Sequence, residues 1–102
     1  MNSDQVRQAS AEEIQDWIVS RIAGMVNVQA AAISAEASFD SFGIDSAKAI
    51  SLMVELESWL NLPEELPLEL LFEAEAITDA AQGIAAAVND MTARQTQGST
   101  VQ

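Results

Sequence analysis

A serine directly preceded by an aspartate, at the start of a long apolar-periodic segment, is the feature of this chain best suited to chemistry. Asp45 and Ser46 close the string Phe-Gly-Ile-Asp-Ser, which leads into residues 47–60. An Asp or Ser side-chain oxygen at such a point can accept hydrogen bonds from N–H groups that the first helical turn leaves unpaired. From their position alone, the two residues predict a helix cap.

The residues most used for nucleophilic and metal-assisted catalysis are missing. The chain has no histidine, cysteine or tyrosine, which excludes Ser-His-Asp and Cys-His arrangements, thiolate zinc sites and disulfides. Its 102 residues fit one small domain, which is too short to enclose a large enzyme cleft and also bury a sizeable core. We therefore expect no catalytic residues, no metal site and no enzymatic activity of its own.

A calcium-binding helix-loop-helix is one acidic alternative. A twelve-residue calcium loop starting at Asp40 would place Asp45 where glycine is needed and Ser51 where a bidentate glutamate is needed. The spacing argues against this class.

The charge balance restricts the partners. Sixteen acidic residues against four basic ones make a formal net charge of −12. Nucleic acids and anionic membranes are bound through clustered Lys and Arg, so we expect neither as a partner and expect basic protein surfaces instead. No apolar run approaches the roughly 20 residues of a membrane span, and residues 1–10 lack a secretion signal. The sequence predicts a soluble, cytoplasmic monomer.

Apolar residues at spacings of three and four predict a first helix that starts after Ser10, with Glu13 as its capping-box partner, and ends near Asn27. Residues 28–45 form a long connection for so small a domain. Such a loop stays ordered only if apolar side chains pin it to the core, and the expected anchors are Ile33, Phe39 and Phe42.

The rest of the pattern predicts an all-α bundle. A second helix runs from Ser46 to about Leu60, where Asn-Leu-Pro at 61–63 breaks it. A short helical segment covers residues 67–72, and a last helix covers about residues 78–89. Residues 1–10 are expected to be a flexible leader, residues 11–90 the folded domain, and residues 91–102 a disordered tail or linker remnant.

The second helix has two apolar faces. One broad arc is the expected core face and contains Ala49, Leu52, Met53, Leu56, Trp59 and Leu60. Ala47, Ile50 and Val54 form a second stripe outside that arc. The stripe is either a docking surface or a strip covered by the preceding loop, and periodicity leaves both open.

Three strings resemble the acyl carrier proteins of fatty acid and polyketide synthesis: Phe-Gly-Ile-Asp-Ser-Ala at 42–47, Leu-Glu-Ser-Trp-Leu at 56–60 and Leu-Phe-Glu-Ala at 71–74. The resemblance covers roughly residues 12–89. It implies a small four-helix bundle with a long loop between helices 1 and 2 and a short third helix. It also implies that Ser46, beside Asp45, carries a 4′-phosphopantetheine arm derived from coenzyme A. A phosphodiester there suits the positive end of a helix.

The implied function is to hold acyl intermediates as thioesters and present them to enzymes of polyketide, lipopeptide or fatty acid biosynthesis. The implied partners are a phosphopantetheinyl transferase, an acyl-loading enzyme and downstream synthase domains. The implied docking residues are Ala47, Ile50, Ser51, Val54 and Glu57.

Two of these residues depart from the family pattern. Many carriers have Leu where this chain has Ala47, and they often have Glu where it has Ser51. With the Leu-Glu-Ser-Trp-Leu segment, this resembles carriers loaded by a fatty acyl-AMP ligase. The alternatives are a peptidyl carrier domain of a nonribosomal peptide synthetase, which usually reads Gly-Gly-x-Ser at the attachment site, and an acidic interaction bundle that carries nothing.

Overall fold

Four helices make up the part of the chain that the computed structural model describes, residues 9–62 and 64–100, with side chains described up to residue 93. They are α1 (Ala11–Val26), α2 (Ser46–Leu60), α3 (Glu69–Phe72) and α4 (Ile77–Thr100). These ranges contain no strand, and the prediction of an all-α bundle with a long first connection and a short third helix is confirmed. No helix in them is both long and apolar enough to cross a bilayer.

Helix α1 begins and ends at the signals read from the sequence. The Ser10 hydroxyl accepts from the Glu13 N–H at 3.1 Å, and the Glu13 carboxylate accepts from the Ser10 N–H at 2.8 Å. This reciprocal capping box satisfies two amides that the helix leaves unpaired. The helix ends at Asn27, which is left-handed with φ 63°.

The core lies between α1, α2 and α4, with α1 packed chiefly on α4. Burial of each large aliphatic side chain stabilises the fold by roughly 1.5–3 kcal/mol. The largest fully buried side chains are Ile14, Ile18, Ile22, Leu52, Met53, Leu56, Leu60, Ile77, Ile84 and Val88.

Apolar anchors hold the long connection between α1 and α2 against this core. Ile33 and Phe39 are buried and Phe42 is half-buried, as predicted. Ile44, which is not among the expected anchors, is also buried. The connection contains two short 3-10 turns, Ala30–Ala32 and Asp40–Phe42.

The same connection satisfies the first turn of α4. The carbonyl oxygens of Ala37 and Ala35 accept from the N–H groups of Ile77 and Thr78 at 3.2 and 2.9 Å. These hydrogen bonds satisfy two N–H groups that the start of a helix leaves unpaired. They therefore fix the position of the loop relative to α4.

Helix α2 ends at Leu60 because Asn61 adopts a left-handed conformation, with φ 56° and its N–H bonded to carbonyls of the last turn. The sequence predicts this end at the Asn-Leu-Pro string of residues 61–63, of which Pro63 lies outside the described residues. Helix α3 then packs closely on α4 beside Gly83, where an added Cβ would lie 3.2 Å from Leu70 Cδ2.

Helix α4 is longer than predicted. Residues 91–100, expected to be a disordered tail, are helical. The apolar line of Ile84 and Val88 continues to Met91, which is buried, so packing extends the helix beyond the expected end at Asn89. Residues 1–8 of the leader and residues 101–102 lie outside the described ranges, and the division into leader, domain and linker stays a prediction.

Candidate functional site

A tight turn delivers the chain to the start of α2. The N–H of Gly43 donates to the Asp40 carbonyl at 3.0 Å, and the N–H of Ile44 donates to the Phe39 carbonyl at 3.2 Å. Gly43 has φ 74°, a left-handed conformation that glycine adopts without steric cost. Because Ile44 and Phe39 are both buried, the turn is fixed on the core and the two residues that follow it emerge into solvent.

Asp45, and not Ser46, is the cap of α2. The Asp45 carboxylate accepts from the Lys48 N–H at 3.0 Å, and the Asp45 carbonyl accepts from the Ala49 N–H at 2.8 Å. Ser46 is the first helical residue and is exposed. The reading of Ser46 as a simple helix cap is therefore wrong, because its hydroxyl is not needed for that purpose.

Two backbone amides in the first turn of α2 are left without a hydrogen-bond acceptor in the part of the chain that the structure describes. Of its four leading N–H groups, Asp45 satisfies those of Lys48 and Ala49. The N–H groups of Ser46 and Ala47 have no acceptor within the described ranges. The Lys48 ammonium lies 3.5 Å from the Gly43 carbonyl, which places a cation next to the turn. An anionic group esterified to Ser46 would meet these dipoles at the positive end of the helix.

A cavity of about 270 Å³ lies next to Ser46, between the turn, the start of α2 and α3. Its lining includes the acidic residues Asp40 and Asp45 and the apolar residues Leu71 and Phe72. An arm attached to Ser46 would therefore begin at the edge of a cavity lined by both polar and apolar residues. The site therefore fits a long, partly polar group held through an anionic link.

Phe72 is the residue at this site that the sequence analysis missed. Its side chain is 50% exposed, whereas that of its neighbour Leu71 is buried. The signal was present, because successive residues of a helix point about 100° apart, so a one-turn helix that buries Leu71 must turn Phe72 away from the same contact.

The second stripe on α2 is free of the loop. Ile50 is 44% exposed and Val54 57% exposed, and Ala47 and Ser51 are exposed beside them. The alternative in which the preceding connection covers the stripe is therefore excluded. We call Ala47, Ile50 and Val54 the docking stripe.

The carboxylates flanking the docking stripe are engaged with other parts of the chain. Glu57 is half-buried and accepts from the Leu66 N–H at 2.7 Å, which fixes the segment after α2. Glu55 forms an ion pair with Arg21 of α1. Direct contact of Glu57 with a partner stays a prediction, since the structure gives this carboxylate an internal hydrogen bond as well. No group of three or more carboxylates in the described part of the chain is arranged to hold a metal ion.

Comparisons with known proteins converge on one family. The family model for the phosphopantetheine attachment site matches residues 16–84, a span that includes Ser46. Over 50 residues the chain is 32% identical to the acyl carrier protein TtuC of Teredinibacter turnerae, a stretch that covers 49% of this chain and 58% of TtuC.

A solved structure extends the likeness to the fold. The solution structure of an acyl carrier protein from Anabaena sp. PCC 7120, which has a variant phosphopantetheinylation-site sequence, superimposes with a TM-score of 0.70 at 32% identity. The match covers 82% of this chain and 93% of that one. The similarity therefore extends to the overall helical fold.

Proposed function

This chain belongs to the family of acyl carrier proteins that bear a phosphopantetheine attachment site, and from that premise we propose that Ser46 is the residue that carries the arm. The family's cofactor is 4′-phosphopantetheine, and its members are carriers without catalytic activity of their own. The observation that carries the assignment is the exposed hydroxyl of Ser46 at the first position of α2, with capping left to Asp45. Peptide mapping of the modified protein by tandem mass spectrometry tests it, and an adduct on any other residue would contradict it.

The prosthetic group supplies a thiol on which an acyl chain is held as a thioester, a function that a chain without cysteine cannot provide itself. The residues around Ser46 have to accommodate the phosphodiester. The amides of Ser46 and Ala47 and the positive end of α2 favour the anion by about 0.3–1 kcal/mol. Asp45 opposes it through like charge, and the Lys48 ammonium on the same turn offsets part of that repulsion.

Partner enzymes, among them a phosphopantetheinyl transferase, have to dock where they can reach this hydroxyl. We assign that role to the docking stripe together with Phe72, which lines the cavity beside Ser46. Exposed apolar side chains on a folded domain commonly mark interaction surfaces, and with a net charge of −12 the domain favours enzymes with basic rims. Cytoplasmic location and a monomeric state are further parts of the proposal, supported by this acidity and by the small size of the domain.

For the loading partner we propose a fatty acyl-AMP ligase, in a pathway of lipid-polyketide, lipopeptide or fatty acid biosynthesis. Ala47 presents less bulk beside Ser46 than the leucine common in the family, and Ser51 lacks the negative charge of the common glutamate. Both residues are exposed, so a partner meets these differences directly. Because selectivity comes from mismatch as well as match, acyltransferases suited to the Leu and Glu pattern should dock less well here.

The test is a competition between loading enzymes. Holo protein is incubated with a fatty acyl-AMP ligase, ATP and medium to long fatty acids, and separately with a malonyl acyltransferase and malonyl-CoA. We expect acylation by the ligase, and we expect Ala47→Leu with Ser51→Glu to shift the preference towards malonyl loading. Efficient malonyl loading of the natural sequence with no acylation by any such ligase would make this an extender-unit carrier.

A further inference from the structure

A second surface lies on the outer side of α1 and α2. The rings of Trp17 and Trp59 stack with centroids 5.5 Å apart and planes inclined by 20°. The Arg21 guanidinium lies 5.6 Å from the centre of the Trp17 ring and pairs with Glu55. Aromatic rings of this size dominate the energetics of many interfaces, and both rings are partly buried against the core and partly accessible.

Two adjoining open depressions, of about 510 and 360 Å³, share Ser20 and Arg21 and form one shallow groove along α1. We call it the tryptophan groove. It starts at Glu13 and Asp16, passes the tryptophan pair and ends at Met25. The twelve steps from residue 13 to residue 25 correspond to about 18 Å at 1.5 Å per residue, or roughly three helical turns.

Gly24 lines the groove, and neither close packing nor backbone conformation within the described residues requires a glycine there. A Cβ added there would meet nothing within 4 Å, and no left-handed φ calls for glycine at this position. Glycine inside a helix costs about 1 kcal/mol relative to alanine. A residue that weakens α1 without any gain in internal packing is explained if another backbone approaches α1 closely at this point.

The charges around the groove select its occupant. Glu13 and Asp16 form its acidic end, and Arg21 is offset by its ion pair with Glu55. The groove therefore combines aromatic surface with net negative charge and favours a partner with apolar and basic side chains. A second copy of the chain would bring its own charge of −12 and be repelled.

From these observations we infer that the tryptophan groove docks a basic amphipathic helix belonging to a partner protein. Trp59 lies thirteen positions after Ser46 on α2, about 20 Å along the helix axis. A helix anchored on the tryptophan pair would therefore leave Ser46 accessible. It would act as a tether that raises the local concentration of a partner's active site near Ser46.

The test uses the unmodified protein, so it is independent of Ser46. It is titrated with a synthetic helical peptide of about 14 leucine and lysine residues that has opposed apolar and basic faces and no tryptophan. Trp17 and Trp59 are the two tryptophans of the chain, so their fluorescence reports the groove itself. We expect a saturable emission change. A peptide with glutamine in place of leucine, at equal charge, should bind more weakly and leave the emission unchanged.

Matched variants identify the surface. Gly24→Gln fills the groove and improves helix propensity, so the domain should stay folded while peptide affinity falls by about tenfold. Ala86→Gln makes a similar change at an exposed position of α4 and should leave the affinity unaltered. Equal affinities for the two variants, or binding without an emission change, would overturn the proposal. The proposal would also be overturned if sedimentation showed a dimer that Gly24→Gln abolishes, because the groove would then bind a second copy of the chain.

Discussion

Substitution by aspartate should have very different effects on stability at two adjacent residues of α2. Val54 is 57% exposed, whereas Met53 is 1% exposed. Val54→Asp puts a carboxylate into water and should change the free energy of unfolding by no more than about 0.5 kcal/mol. Met53→Asp removes core packing and buries an unpaired carboxylate, which should cost at least about 3 kcal/mol. For a domain of this size, Tm should fall by less than about 4 °C in Val54→Asp and by at least about 12 °C in Met53→Asp.

The effect of Val54→Asp should appear in the enzyme reaction instead. If the docking stripe is desolvated in the complex with a phosphopantetheinyl transferase, the charge should lower kcat/KM by about tenfold, equivalent to about 1.4 kcal/mol of lost interaction. Thermal unfolding by circular dichroism and initial rates of modification measure the two quantities. Ala86→Asp adds the same charge at an exposed site on α4 and serves as the control. An unchanged kcat/KM, or a fall in Tm as large as that of Met53→Asp, would refute the role of the stripe.

Further effects follow from the polar contacts. Asp45→Ala removes the cap of α2 and should lower stability by about 1 kcal/mol in urea unfolding, with Asp45→Asn retaining most of it; equal losses for both would contradict capping. Glu57→Ala removes the acceptor of the Leu66 N–H and should cost about 1–2 kcal/mol, with a smaller cost for Glu57→Gln; no loss in either would show that this bond does not hold the segment. The transferase kcat/KM should fall between about 0.05 and 0.5 M NaCl, because salt screens the attraction of a basic enzyme to this acidic surface; a salt-independent rate would contradict electrostatic steering.

The local signals in the sequence located α1 and α2 well. A capping box depends on two residues three positions apart, so Ser10 and Glu13 marked the start of α1 without any tertiary information. The apolar period likewise separated the core face of α2 from the docking stripe. It could not decide whether the loop covers Ile50 and Val54, because that depends on where the loop runs.

Contacts between segments that are distant in the chain could not be predicted from the sequence. Glu57 was assigned to a docking face, but the chain after α2 folds back so that the Leu66 amide reaches its carboxylate. Arg21 and Glu55 are 34 positions apart, and no periodicity links them. The length of α4 is a different case, since Met91 continues the apolar line and was overlooked among polar neighbours.

The central claim is that Ser46 alone carries the prosthetic arm, and intact-mass spectrometry tests it most directly. The wild-type chain, Ser46→Ala and Ser58→Ala are each incubated with coenzyme A and a broad-specificity phosphopantetheinyl transferase. Ser58 is an exposed serine of the same helix, so its variant controls for nonspecific loss of modification. We expect the wild type and Ser58→Ala each to gain the mass of one phosphopantetheine group, while Ser46→Ala stays folded and gains none. Full modification of Ser46→Ala, or no modification of the wild type by several such transferases, would contradict the claim.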